Sequence, residues 1–362
     1  MSPRVFRAPG RVNLIGEHTD YNGGFVMPAA IGFYTSVAVR PIEERKLVLS
    51  SAQFPDRFEV SLDEAAPRKS WCDYPLGVAW ALEKSGYRLR GGELTFASDV
   101  PIGAGLSSSA ALEVSTALAL ATLAGHDIPT RRLAEICQQA ESEFVGMKCG
   151  IMDQFISIHG RENHAILLDC RNLDYRPVPI PDRLRLVISN SKVKHELTGS
   201  AYNHRRRDCE TAAEFFGKTL LRDVTPAQFS SRENELTPQV RMRARHVIGE
   251  IARTGIAASA LQTGDYRKFG ELMYASHESL RVDYEVSCEE LDKLVDAAQK
   301  VEGVYGSRMT GAGFGGCTIS LMEETAVPAF LDSVPAAYES AFGRRPGLYV
   351  CRPVDGAHEV IS

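Results

Sequence analysis

The segment that most restricts the fold lies between residues 92 and 125. A strand pattern (ELTFAS) gives way there to a glycine-rich loop (DVPIGAGLSSS) and then to an apolar helix pattern (AALEVSTALALATLA) stopped by Gly125. A strand that passes a loop directly onto a helix start commits the chain to layered α/β packing, because an apolar helix needs a sheet or other helices to cover it. The loop also carries chemistry. Gly103 and Gly105 let backbone approach a ligand closely, and Ala104 and Leu106 complete the turn. Ser107, Ser108 and Ser109 add hydroxyls beside the free N–H groups of the helix N-terminus, where the helix dipole favours an anion. No Lys follows the glycines, so the loop is not a Walker A sequence and its counter-charge must come from a metal or from elsewhere in the chain. Plain capping by serine is the simpler alternative, although one cap needs only one serine.

Around this segment, 362 residues suffice for about two domains, and 44% hydrophobic with 24% charged residues is the composition of a globular chain. TSVAVR and KLVLSS read as strands, with Pro41 and Pro55 marking connections. TRRLAEICQQAESEFVG places Leu133, Ile136, Cys137, Ala140 and Phe144 on one helical face, with Thr130 as N-cap and Glu141 at the margin of the stripe. Strand-like HAILLDC and LRLVISNS follow, then helical stretches at 199–216, 238–263 and 289–300, the strand CTISLM, a helix around 326–342 and the strand GLYVC. The expected division falls near residue 185, giving domains 1–185 and 186–362.

Charge and cysteine use exclude several classes. With 41 basic and 46 acidic residues the net charge is -5, which offers no field for nucleic acid. The most apolar stretch, 110–124, is too short to span a bilayer and is interrupted by Glu113, Ser115 and Thr116, so no membrane partner is expected. The N-terminus has no apolar export segment, and eight cysteines without a CxxC pair suit a reducing cytoplasm rather than a zinc site.

Further segments concentrate polar groups. APGRVNLIGEHTDYNGG, residues 8–24, gathers Arg11, Glu17, His18 and Asp20 among turn-forming glycines, a density that suits hydroxyl recognition or, more simply, a solvated turn between strands. In SRMTGAGFGGC, Gly311, Gly313 and Gly316 mimic a dinucleotide fingerprint, but a strand rather than a helix follows, so the match is rejected. FGKT at 216–219 lacks the required glycine at Ala212. Asp153 sits between apolar residues in CGIMDQFIS and calls for a partner such as Arg11, unless it is an ordinary first-turn acid. Glu141 reaches inward or is an exposed helix glutamate, and Arg205, Arg206 and Arg207 read as a solvated helix face.

Taken together, these segments resemble the galactokinases of the GHMP small-molecule kinase family: the first their sugar signature, PIGAGLSSSAA the phosphate loop, and SRMTGAGFGG the third motif. CQQAESEFVGMKCGIMDQFIS and SHESLRVDYEVSCEELD extend the likeness over nearly the whole chain. The resemblance implies a two-domain α/β fold, a ribosomal-protein-S5-like N-terminal half and a ferredoxin-like C-terminal half, with the active site between them. It implies transfer of the γ-phosphoryl of MgATP to the C1 hydroxyl of α-D-galactose. By position it makes Asp153 the base and Arg11 its neighbouring cation. It assigns Glu17, His18, Thr19, Asp20, the backbone of Gly150 and the ring of Tyr202 to the sugar. It gives the 103–109 loop, Trp71 and Ser51 to the nucleotide, and Ser109 and Glu141 to Mg2+. A kinase for another sugar such as N-acetylgalactosamine, or a non-catalytic galactose and ATP sensor, are the alternatives. A monomer is expected, with a dimer as the alternative state.

Overall fold

A computed structural model describes residues 3–101, 103–193 and 198–361, with the side chains of residues 198–200 left aside. Three sheets carry the architecture. The largest has six strands in the spatial order His358–Val360, Arg4–Asn13, Pro28–Pro41, Gly92–Ser98, Lys46–Ser51 and Phe58–Ser61. A second sheet orders Val304–Thr310, Cys317–Glu323, Leu184–Asn190 and Gly347–Cys351, antiparallel throughout. A small third sheet joins Phe25–Val26, His164–Asp169 and Tyr175–Pro179.

Helices cover both large sheets. Phe6, Val37, Leu47 and Leu94 of the first sheet pack on Leu76, Val114, Leu120 and Ile136 from helices Asp73–Lys84, Ser108–Ala124 and Thr130–Gln139. On the second sheet, Val187 meets Leu294, Phe330, Val334 and Tyr338 of helices Glu289–Gln299 and Val327–Phe342. A core containing Val12, Leu14, Leu186, Ile319, Leu321 and Phe269 joins the two halves, so motifs from opposite ends of the sequence are held on one framework. The division near residue 185 falls inside strand Leu184–Asn190, and the chain's last strand returns to pair with its first.

The helix anticipated after the glycine loop forms over Ser108–Ala124, capped by Gly125 in the left-handed region (φ 79°). The other anticipated helices lie at Thr198–Phe215, Pro238–Thr263, Glu289–Gln299 and Val327–Phe342. Four more were not read from the sequence: Asp73–Lys84, Met152–His159, Pro226–Arg232 and Tyr266–Val282. Two expectations need correction. Thr130 is the first helical residue rather than the N-cap, because Pro129 occupies the capping position and supplies no side-chain bond. Pro41 does not lie in a connection: it ends strand Pro28–Pro41, where its missing N–H costs the ladder least.

Candidate active site

The site begins at an irregularity in the first strand. Its register against Pro28–Pro41 shifts between Pro9 and Gly10. At Gly10 the 103–109 glycine loop comes so close that an added Cβ would stand 2.6 Å from the Leu106 carbonyl oxygen. Arg11 N–H donates to that same oxygen at 3.1 Å. The Arg11 side chain then meets Asp153, in the first turn of helix Met152–His159, through two parallel bonds: Nε to Oδ1 at 2.8 Å and Nη2 to Oδ2 at 2.7 Å. The guanidinium side chain is 6% exposed and the aspartate side chain 26%, so the cation is buried beneath an anion that faces the cleft. Nη1 donates to Gly105 O at 2.6 Å, tying the pair to the glycine loop. Burial opposes the arginine's charge, but Asp153 and Glu17 hold its pKa above the ordinary value.

Glu17, His18, Asp20, Gly150 and Tyr202 line one side of this cleft. Burial, reinforced by the charge of Asp153, pushes the Asp20 carboxyl up to about 7. Gly150 is required by Asp20: a Cβ there would lie 1.9 Å from Asp20 Oδ2. Glu17 pairs with Arg308 at 2.9 Å, which links the first motif to strand Val304–Thr310, and burial raises its pKa against the pull of Arg308 and Arg11. His18 reaches the cleft with both ring nitrogens already bonded, Nδ1 to the Tyr21 hydroxyl at 2.9 Å and Nε2 to Ala312 O at 3.2 Å. The carbonyl can only accept, so Nε2 carries the proton and Nδ1 accepts from Tyr21. Burial, then His246, lowers the His18 pKa to about 3, which keeps the ring neutral. Thr19, expected at the sugar, is instead fully buried beneath the turn, and its hydroxyl closes that turn on Gly16 O and Phe25 O at 2.8 and 2.7 Å.

Gly103, Gly105, Leu106, Ser107, Ser108 and Ser109 line the same cleft. Ala104 is the exception in the loop: it is buried and packs toward Gly316 of the third motif. Ser107 adopts φ 59°, unusual for a residue with a side chain, and its hydroxyl donates to Asp153 Oδ2 at 2.5 Å. Ser109 and Glu141 both line the cleft, and the serine hydroxyl pulls the Glu141 pKa down. Glu141 sits in a π-helical turn, Ala140–Val145, which follows helix Thr130–Gln139 and adds a residue to the turn; the glutamate is only 6% exposed. Burial, then Asp153, raises its pKa. A hydroxyl and a desolvated carboxylate on one cleft are a hard-oxygen donor set, which fits Mg2+.

Ser51 and Trp71 do not line this cleft. They meet elsewhere, around Phe96, which is the register partner of Ser51 and lies edge-on to the indole with ring centroids 5.8 Å apart. Phe54 stacks on the same indole, centroids 5.9 Å apart and 10° from parallel, and the Ser51 hydroxyl bonds Gln53. The Arg205–Arg207 run is less solvated than its composition suggests, since Arg205 donates to Tyr284 O and Glu285 O and Arg206 to Lys148 O. Met147, Cys149, Met152 and Ala312 also line the cleft and were not singled out individually in the sequence; Gly311 lines it too and was named there only in the rejected dinucleotide match of the third glycine motif.

Three models of known families match the chain: the GHMP kinases N terminal domain over residues 73–161, the galactokinase galactose-binding signature over residues 1–41, and the GHMP kinases C terminal domain over residues 257–340. A galactokinase of Roseiflexus sp. (strain RS-1) is 47% identical over 364 residues, 99% of this chain and 93% of the relative. One of Chloroflexus aggregans is 47% identical over 96% of this chain and 91% of its own. The solved Lactococcus lactis galactokinase complexed with galactose superposes with a TM-score of 0.96 at 38% identity, covering 99% of this chain and 95% of that one. A mevalonate kinase at 20% identity and TM-score 0.68, covering 97% and 99% of the two chains, shares the fold.

Proposed function

The chain belongs to the galactokinases of the GHMP kinase family, ATP-dependent sugar kinases, and from that premise we propose how its cleft transfers the γ-phosphoryl group to the C1 hydroxyl of galactose. The observation that carries the reading is Asp153: a carboxylate open to the cleft, gripped from below by buried Arg11, standing between the sugar-signature residues and the serine-tipped loop. Galactose lies against Asp20, Glu17, Gly150 and Tyr202, and the phosphates of ATP lie along Gly103–Ser109. The division into units 1–185 and 186–362 puts the cleft where the two meet. Ser51 and the Phe54–Trp71 stack serve the adenine end.

Asp153 Oδ2 already receives two donors, Arg11 Nη2 and the Ser107 hydroxyl, whereas Oδ1 receives only Arg11 Nε. Oδ1 is therefore the atom that takes the C1 hydroxyl proton. The sugar oxygen forms its bond to the γ-phosphorus as the bond to the ADP oxygen breaks. Arg11 stays charged throughout and steadies the carboxylate and the entering oxygen. The transition state is loose in most analyses, so placement and charge neutralisation matter more than base strength. Ser109 and Glu141 would hold Mg2+, which when bound supplies positive charge to the phosphate oxygens. His18 and Tyr202 present aromatic rings to the cleft and are backed by Tyr21 and Tyr284, with ring centroids 4.7–6.0 Å apart.

We place the reaction in the cytoplasm, a reading supported by eight cysteines that all remain free thiols. Among the described residues no helix is long and apolar enough to cross a membrane.

Asp153→Asn removes charge with little volume. It should lower kcat by about 10²–10⁴-fold while galactose binding, followed by calorimetry, changes by no more than a few-fold. ADP release across a panel of hexoses should be highest with galactose. Near-wild-type turnover in the variant overturns the assignment of Asp153, and a preference for N-acetylgalactosamine overturns that of the sugar.

A further inference from the structure

Behind the site lies a polar cluster that the transfer itself does not use. Glu113, on helix Ser108–Ala124, is fully buried, and so is Gln154, the residue after Asp153. Gln154 Nε2 donates one hydrogen to Glu113 Oε2 at 3.0 Å and the other to Glu141 Oε2 at 2.6 Å. Two oxygens are then left over. Among the described residues, Glu113 Oε1 and Gln154 Oε1 are buried without a partner. Each such orphan costs about 1–3 kcal/mol, so two in one contact pair need an explanation.

One proton resolves both. Placed on Glu113 Oε1, it makes the carboxyl a donor, and Gln154, already bonded to Glu113 through Nε2, carries the oxygen that lacks a donor. The result is a closed acid–amide pair: Gln154 N–H to Glu113 Oε2 in one direction, Glu113 O–H to Gln154 Oε1 in the other. The same proton removes a second negative charge from beside Glu141. Glu141 needs no such proton, because Gln154 and the Cys149 thiol already donate to its carboxylate. Turning the amide round would set its carbonyl against two carboxyl groups and require a proton on each.

We propose that Glu113 is a neutral acid paired with Gln154, and that this pair makes Gln154 a positioning residue that aims Glu141 at the metal. The proposal rests on the reading of Glu141 as a magnesium ligand. Burial, then the charge of Glu141, pushes the Glu113 carboxyl well above the usual carboxylate range, in the direction the geometry requires. Gln154 is also the sequence neighbour of Asp153, so one turn of helix holds the base and, through an amide, orients the metal carboxylate. Outer groups of this kind commonly change metal affinity by about 10–100-fold when removed.

The test has a metal-free arm and a metal arm. In the ligand-free protein, the infrared difference between wild type and Glu113→Gln should show loss of a protonated-carboxyl band; loss of a carboxylate band overturns the proposal. In calorimetric ADP titrations at a series of magnesium concentrations, Gln154→Leu should need about tenfold more magnesium or higher to reach half of the magnesium-dependent gain in ADP affinity. Its galactose affinity should stay within about twofold. Glu113→Gln preserves the pairing, because an amide supplies the same donor and acceptor, and should keep the wild-type magnesium curve. An unmoved curve in Gln154→Leu beside a shifted one in Glu141→Ala overturns the positioning role and spares the metal reading. Unmoved curves in both overturn the metal reading and the positioning role with it.

Discussion

Replacing Gly150 by Ala isolates the contact that shapes the sugar side of the cleft. A Cβ at that position would stand 1.9 Å from Asp20 Oδ2, 2.2 Å from its Cγ and 2.9 Å from its Cβ, whereas real Cβ contacts essentially never fall under 3.0 Å. The Asp20 carboxylate must therefore retreat by about 1 Å, the scale on which misplacement of a positioning group costs roughly 100-fold. Its open side is the cleft, so it moves into the space that the proposed galactose pose fills. Steady-state ADP release at saturating MgATP should show the galactose KM raised by about 10–100-fold, equivalent to about 1.4–2.8 kcal/mol, with the MgATP KM within about twofold of wild type. If the clash acts through Asp20, adding Asp20→Ala to Gly150→Ala costs little beyond the first change, because residues in contact are non-additive. A galactose KM within twofold of wild type refutes the reasoning. It would mean that the backbone around 150 yields instead of the side chain, an alternative that costs about 1–3 kcal/mol and shows as a lowered Tm.

Ser107→Gly suits the backbone, since φ 59° favours glycine, but removes the donor to Asp153 Oδ2. Turnover should fall about 10–100-fold with the galactose KM unchanged, on the strength of about 1.5–3 kcal/mol for one hydrogen bond to a charged group; unchanged kcat would show that Arg11 alone fixes the carboxylate. Asp20 titrates in the folded protein at about 7, above its ordinary value near 4, so between those limits the folded state binds more protons than the unfolded one. This group's contribution to stability in the absence of ligand is present below pH 4 and is lost as pH rises through 7, so Asp20→Asn should gain in Tm on the wild type between pH 5 and pH 8; a pH-independent difference would contradict the shift. Galactose hydroxyls donate to the carboxylate form, so galactose affinity by calorimetry should strengthen over the same interval, and a flat profile would remove Asp20 from the sugar contacts.

What could be read in advance divides along a physical line. The strand, glycine loop and helix at 92–125 were legible because each depends on local backbone chemistry, and the structure reproduces them to within two residues. The need of Asp153 for a cation was legible because a carboxylate between apolar residues must have one, and Arg11 supplies it. Partner choice for short polar side chains was not legible. Thr19 satisfies its own turn, and His18 has both nitrogens engaged, outcomes fixed by elements as remote as Ala312 and Tyr284. The pairing of the last strand with the first leaves no mark in either segment's composition, since edge pairing is decided by the completed sheet. The π-helical turn that carries Glu141 inward is invisible to a 3.6-residue period, which is why the glutamate sat at the margin of the apolar stripe.

The Glu113–Gln154 pair lies between these cases. Helix Ser108–Ala124 is apolar nearly all round, and Glu113 is its one ionisable side chain. An apolar helix accepts such a residue at full burial only where another element brings a matching group, because an isolated buried carboxyl loses its hydration with nothing in return. The residue that meets it is next in sequence to Asp153 and in contact with Glu141, and that location sets its consequence. A stabilising pair elsewhere in the core could be exchanged for apolar residues of equal volume with little effect, whereas here the exchange would free the carboxylate proposed to hold the metal. An anomalous charge in an otherwise regular apolar helix is thus the sequence trace of the support behind the site.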